Sequence, residues 1–171
     1  MTDRPETKRA GAGASARQVL TFRLGAETYG VDILRVREIR GWSAVTRIPQ
    51  SPPHVLGVLD LRGSIVPILD LRVRFGLERA EFTPLTVIIV LSIMTPTGPG
   101  EFGLVVDSVA DVIDISSSDL KVTPDLGGKS NADFIDGLAT VSNRMLILLD
   151  VDALAAREWL PDESDRLPGA A

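Results

Sequence analysis

The sequence predicts an all-β protein made of two five-stranded barrels packed together, with a short helix following a hairpin in each. Three observations lead there. The stretch from Gly57 to Leu71, GVLDLRGSIVPILDL, aligns without a gap on Gly137 to Val151, GLATVSNRMLILLDV, placing Gly57 on Gly137, Ile65 on Met145, Leu69 on Leu149 and Asp70 on Asp150. A second ungapped match, Tyr29 to Ile39 on Phe102 to Val112, precedes it in the same order, so one β-rich unit is used twice. The spacing of matched residues grows from 73 to 80, which puts about seven extra residues into the polar stretch from Ser116 to Asn131. Finally, the strands flanking Arg62-Gly63 are apolar on both faces. An open sheet with one wet face does not tolerate this, whereas a closed barrel packed against a second one uses both faces and hides its edges.

Composition bounds the remaining possibilities. A chain of 171 residues that is 44% hydrophobic has ample material for one domain or two small ones sharing an interface. A net charge of −5 with no basic run argues against nucleic acid or an anionic membrane as the main partner. With no cysteine and one histidine, His54, neither disulfide nor thiol chemistry is available, and a metal would rest almost wholly on carboxylates. No cofactor is expected. Residues 1–17 have no apolar segment of the signal-peptide kind and no apolar run approaches a bilayer span, so a cytoplasmic location is expected.

Along the chain, residues 1–17 mix charges with Ala, Gly and Thr and are expected to be a disordered tail. The folded part is expected over 18–160 as two interleaved barrel subdomains, with a flexible tail over 161–171. Alternation from Gln18 predicts a first strand. Gly25-Ala26-Glu27 turns the chain into a second strand over Thr28 to Ile33. A helical turn near Asp32 and a strand from Val36 to Arg40 follow, ended by Gly41. Val45 to Ile48 runs extended up to the prolines at 49, 52 and 53. The central hairpin places strands at Val55 to Leu61 and Ser64 to Leu69. Pro67 lacks an N–H and therefore belongs at an edge or bulge. Asp70 caps a short helix closed by Gly76, and Asp150 or Asp152 caps another over Ala153 to Leu160. Between them come a strand from Leu85 to Met94, a loop from Thr95 to Gly100, and strands at Glu101 to Asp107 and Val109 to Ile115.

Catalytic chemistry finds little support. His54 lies among prolines without a nucleophile elbow, and Leu126-Gly-Gly-Lys-Ser130 lacks the first glycine and the strand of a phosphate-binding loop. The acid pairs Asp111/Asp114 and Asp150/Asp152 read as solvated strand-end and helix-start residues before they read as acid/base or cation groups. Arg62 differs, because a hairpin tip beside glycine has no packing need for a guanidinium. Glu38, on a strand expected to neighbour this hairpin, is its expected ion-pair partner.

The segments YGVDILRVREIRG (29–41), TRIP (46–49), GVLDLRGSIVPILDLR (57–72), VIIV (87–90), GLVVDSVADV (103–112) and RMLILLD (144–150) together resemble the CheW family of bacterial chemotaxis coupling proteins, over about residues 18–157. The same fold occurs in the regulatory domain of the histidine kinase CheA and in CheV. The resemblance implies two SH3-like barrels and a non-catalytic scaffold joining the cytoplasmic tips of methyl-accepting chemoreceptors to CheA in signalling arrays. On that basis Val36, Glu38, Gly57, Arg62, Ile65 and Val87 match receptor-binding or groove-shaping positions. Val45 and Ile48 match the surface that meets the kinase, and Lys121 and Leu126 lie where a second, array-building kinase contact forms. Asp60 stands where the family usually has Asn, and its charge is expected to compete with Glu38 for Arg62. The alternative readings are a paralogue serving a non-flagellar pathway and, from another class, a small hydrolase or ligand-binding barrel using carboxylates and Arg62.

Overall fold

The computed structural model describes residues 17–77, 81–121 and 134–159, with side chains through 156. Among the described residues eleven strands form two sheets. Their ranges are β1 Arg17–Leu24, β2 Glu27–Asp32, β3 Val36–Gly41, β4 Val55–Leu61, β5 Ser64–Asp70, β6 Val87–Thr95, β7 Gly98–Val106, β8 Ser108–Ile115, β9 Leu120–Lys121, β10 Ile135–Val141 and β11 Arg144–Leu149. A 3-10 turn at Ile33–Arg35 separates β2 from β3. Helix α1 spans Leu71–Arg74 and α2 spans Val151–Trp159. The six-stranded sheet runs β8-β1-β2-β11-β10-β9 and the five-stranded sheet β3-β6-β7-β5-β4.

Each sheet draws on both repeats. In one, β2 of the first repeat pairs in parallel with β11 of the second, Gly30 opposite Leu148; in the other, β7 of the second pairs with β5 of the first, Gly103 opposite Ile68. These are the same two positions of the repeat, met in reciprocal combination. The glycines are required at both. A Cβ on Gly30 would lie 2.4 Å from Val19 Cγ1, and one on Gly103 would lie 2.8 Å from Ile68 Cδ1 and Ile88 Cγ2. The equivalence extends to the short pairings, since Thr46 bridges Val58 as Lys121 pairs Leu138.

Three apolar clusters follow from this exchange. Leu61, Val66, Ile68, Ile88, Val90 and Val105 fill the first barrel, while Val19, Ile115, Ala139, Leu146 and Leu148 fill the second. The largest cluster, including Phe22, Leu69, Ile89, Leu91, Phe102, Leu104 and Phe134, lies between the sheets. Strands with one face in a barrel and the other in the joint are buried twice over, which explains why β5, β6 and β11 read as continuous apolar runs.

Two ion pairs cross the joint at matching places with reversed polarity. Arg72, after β5, donates from Nη1 to Asp107 Oδ1 at 3.2 Å, and Asp107 Oδ2 accepts the Gly25 N–H of the β1–β2 turn at 2.8 Å. Asp152, which aligns on Arg72, takes a bidentate pair from Arg35 and accepts the Met94 N–H of the β6–β7 hairpin. The Arg35 guanidinium is held above its ordinary pKa, first by its hydrogen bond to Asp152.

Several expectations are corrected. Arg17, placed in the tail, opens β1 opposite Ile115; residues 1–16 and 160–171 lie outside the described residues. The strand predicted from Leu85 starts at Val87, because Leu85 and Pro84 occupy a turn that Thr83 caps. The predicted loop at Thr95 to Gly100 is a tight hairpin turn at Pro96-Thr97, with Gly98 at φ 123 and β7 already begun. Of Val45 to Ile48, predicted extended, only Thr46 bridges a strand. Asp150, not Asp152, caps α2 through Oδ1 and the Ala153 N–H, and the helix starts at Val151. Pro67 lies where only β4 flanks β5, one residue before the parallel pairing to β7 begins, so its missing donor breaks no bond there.

Candidate functional site

The site begins at the β4–β5 turn. Arg62 and Gly63 have φ of 53 and 89, and the matching Ser142 and Asn143 have 52 and 65. Positive φ at both central residues defines the mirror-image turn that fits the right-handed twist of a hairpin. The first position was not foreseen: a left-handed arginine is uncommon and is held here by its surroundings. Asp60 Oδ1 accepts the Gly63 N–H at 2.9 Å and so closes the turn. Its expected competition for Arg62 does not occur.

Arg62 Nη2 instead donates to Glu38 Oε1 at 2.6 Å, the ion pair anticipated from sequence. The route to it was different, since β3 and β4 are opposite edges of the five-stranded sheet and not neighbours. Curling of the sheet brings the hairpin tip back over β3, and the pair latches the barrel mouth. The Arg62 side chain is 78% exposed and that of Glu38 25%. Arg40, two residues along β3, places Nη1 3.6 Å from the other oxygen, Glu38 Oε2.

Register separates the remaining residues by face. Glu38 and Arg40 pair with Val90 and Ile88, which line the first barrel, whereas Val36 and Ile39 pair with Leu91 and Ile89 of the joint. Val36 and Val87 both pack against that central cluster. Ile39 lies along the same edge and is 44% exposed. Sequence reasoning missed Ile39. Its repeat counterpart Val112, apolar and 45% exposed, is the signal that marks it as more than a core residue. Ile65, 63% exposed beside the hairpin tip, adds a further apolar side chain.

Gly57, grouped by resemblance with the receptor side, has a structural task. At φ 150 it lies against the backbone of the preceding segment at Thr46 and Arg47, and a Cβ would fall 2.1 Å from Thr46 O. It therefore sets the position of Val45 and Ile48. Both line a cleft of ≈ 930 Å³ with Leu56, Leu77 and a stacked aromatic pair, Trp42 and Phe82, whose centroids are 4.1 Å apart. Gly57→Ala is expected to break the Thr46–Val58 bridge at a cost on the order of 1–3 kcal/mol and to speed amide exchange at Val58. An unchanged denaturation midpoint and exchange rate would remove Gly57 as the determinant of this wall. Lys121 is exposed on the two-residue β9, remote in sequence from this cleft. Leu126, like the loop-like Leu126 to Ser130, lies outside the described residues.

Beneath the cleft lies a charge cluster no local pattern announced. Arg72 is 1% exposed and Asp70 3%. Arg72 donates from Nε and Nη2 to the two Asp70 oxygens at 2.9 and 3.0 Å, and Phe82 covers its guanidinium at 5.1 Å. Burial works against the arginine's charge, but its hydrogen bonds to Asp70 and Asp107 outweigh this and hold its pKa above the ordinary value. Asp70 also caps α1 through the Arg72 N–H, and Gly76 closes the helix with the Leu77 N–H on Arg72 O. Of the acids suspected of chemistry, Asp150 and Asp152 have structural partners: Asp150 caps α2 and Asp152 pairs with Arg35.

Two exchanged barrels carrying separate exposed apolar patches, one rimmed by a latched arginine and one an aromatic-walled cleft, define a protein-docking module. A family model described as CheW-like domain matches residues 18–158. The chain is 41% identical over 141 residues to the chemotaxis protein CheW of Klebsiella aerogenes, covering 82% of each chain. It is 37% identical over 142 residues to the chemotaxis protein CheW of Rhizobium meliloti, covering 83% of this chain and 89% of that one. The crystal structure of the scaffolding protein TtCheW from Thermoanaerobacter tengcongensis matches with a TM-score of 0.73 at 30% identity, over 81% of this chain and 91% of that one. The chain belongs to the CheW-like family, and the all-β two-barrel fold expected from its repeat is the fold of that family.

Proposed function

We propose that this chain is a non-catalytic scaffold that couples methyl-accepting chemoreceptors to the histidine kinase CheA. The observation that carries the reading is the pair of separate docking patches on one β framework. Coupling through a scaffold requires two partners held at once in a set geometry, so that binding of one biases the state of the other. The receptor side comprises Val36, Glu38, Arg62, Ile65 and Val87, with Gly57 holding the adjoining wall. Val45 and Ile48, in the cleft, face the kinase regulatory domain, and Lys121 and Leu126 supply its second, array-building contact. Apolar side chains with a polar rim are the usual anatomy of such contacts.

Among the described residues no helix is long and apolar enough to cross a membrane. The chain works in the cytoplasm and reaches the membrane only through receptor arrays. Reconstitution tests the whole reading. Receptor fragments, CheA and this protein are mixed, and kinase autophosphorylation is followed with and without it. A ternary complex with stimulated autophosphorylation is the expected result; no complex and no stimulation overturn the assignment.

A further inference from the structure

We propose that Arg40 is a positioning residue for the receptor contact: it holds Glu38 so that Glu38 can hold Arg62. This rests on the assignment of Arg62 to the receptor side. Glu38 and Arg40 project from the same face of β3, two residues apart, and Glu38 divides its carboxylate between two arginines. Oε1 accepts from Arg62 at 2.6 Å, while Oε2 lies 3.6 Å from Arg40. Side-chain exposure rises from Glu38 at 25% through Arg40 at 36% to Arg62 at 78%. The carboxylate is therefore the inner pivot, Arg40 a lateral brace, and Arg62 the group presented to a partner.

The two contacts differ in kind. At 2.6 Å the Arg62 contact is a directional, charge-assisted hydrogen bond, which an ammonium group on a flexible stem does not reproduce in the same orientation. At 3.6 Å the Arg40 contact acts through charge and needs no fork geometry. Arg40 braces Oε2, so without it the carboxylate gains freedom to rotate and Arg62 loses its fixed direction. The second repeat has none of this apparatus, with Ser142 in place of Arg62 and Asp111 and Ile113 in place of Glu38 and Arg40.

A double-mutant cycle on receptor co-sedimentation tests this. Arg40→Ala is expected to weaken receptor binding by about two- to five-fold, the range of partly exposed charge pairs, and Arg40→Lys to restore it. In an Arg62→Ala background Arg40→Ala is expected to add nothing, because the group it positions is gone. Far-ultraviolet circular dichroism and thermal melts check that each variant is folded. If Arg62→Ala alone leaves receptor binding unchanged, the receptor assignment fails. If Arg62→Ala weakens binding but Arg40→Ala does not, or the two losses multiply, or lysine fails to rescue, the positioning role of Arg40 is overturned while the receptor assignment stands.

Discussion

Arg72→Ala is expected to lower the free energy of unfolding by about 3–5 kcal/mol, the range found when one partner of a buried ion pair is removed. The arginine is 1% exposed and satisfies both oxygens of an equally buried Asp70 as well as one of Asp107. Truncation leaves the Asp70 charge away from water with only the α1 cap for company. It also unseats Asp107, which ties the β1–β2 turn to the joint through the Gly25 N–H. For a domain of this size such a loss corresponds to a melting-temperature drop of roughly 10 °C. The double variant Asp70→Asn/Arg72→Met, which removes the charges and keeps the volume, is expected to recover a large part of the loss. Urea and thermal denaturation measure both. A fall of under 1 kcal/mol for Arg72→Ala, or no recovery in the double variant, would contradict the account of Arg72 as a compensating buried charge.

Arg62→Gly is expected to do the opposite: to spare the fold and weaken binding. Left-handed backbone costs a side-chain-bearing residue about 1–2 kcal/mol, which glycine avoids, while an exposed ion pair contributes about 0.2–1 kcal/mol. The two nearly cancel, so the melting curve is expected to stay within a few degrees of the parent. Receptor affinity, if Arg62 is a hot-spot arginine, falls by at least about tenfold, equivalent to about 1.4 kcal/mol. Arg62→Gly is therefore sharper than Arg62→Ala, which retains the strained turn. Receptor co-sedimentation at parental strength by a folded glycine variant rejects Arg62 as an anchor. A collapse of stability would show instead that the latch holds the barrel together.

The two substitutions touch residues ten apart in one repeat, and their contrast follows from burial. The same side-chain chemistry is a structural necessity where water is excluded and a presented group where it is not. The buried Asp70–Arg72 pair, tied to Asp107, is structural, while the exposed Glu38–Arg62 pair crosses the mouth of the first barrel and belongs to the proposed receptor strip.

Local signals made much of the fold legible. The turn residues, the helix caps at Asp70 and Asp150, the strand pair around Arg62 and the doubled unit all appear in the sequence because each depends on neighbours within a few positions. Arg62 is likewise marked by residue chemistry at a turn, although its partner Glu38 lies 24 residues away. Ile39, Arg40, Trp42 and Phe82 went unnoticed because their significance lies in what is packed beside them, and an exposed isoleucine on a strand carries no mark of its own.

The sequence by itself determined the elements, their order and their repetition; only the tertiary structure decided which repeat each strand joins. Apolar alternation says that β2 and β5 must be covered, but β5 and β11 are near-equivalent copies and local pattern does not choose between them. The choice is made by contacts between residues far apart in the chain: Gly30 admits Leu148, 118 residues away, just as Gly103 admits Ile68, 35 away. Closure of the curled sheet then brings Glu38 to Arg62, and the joint between the sheets buries Arg72. Burial and closure are properties of the assembled whole, and their energetics belong to distant pairs that no window of the chain contains.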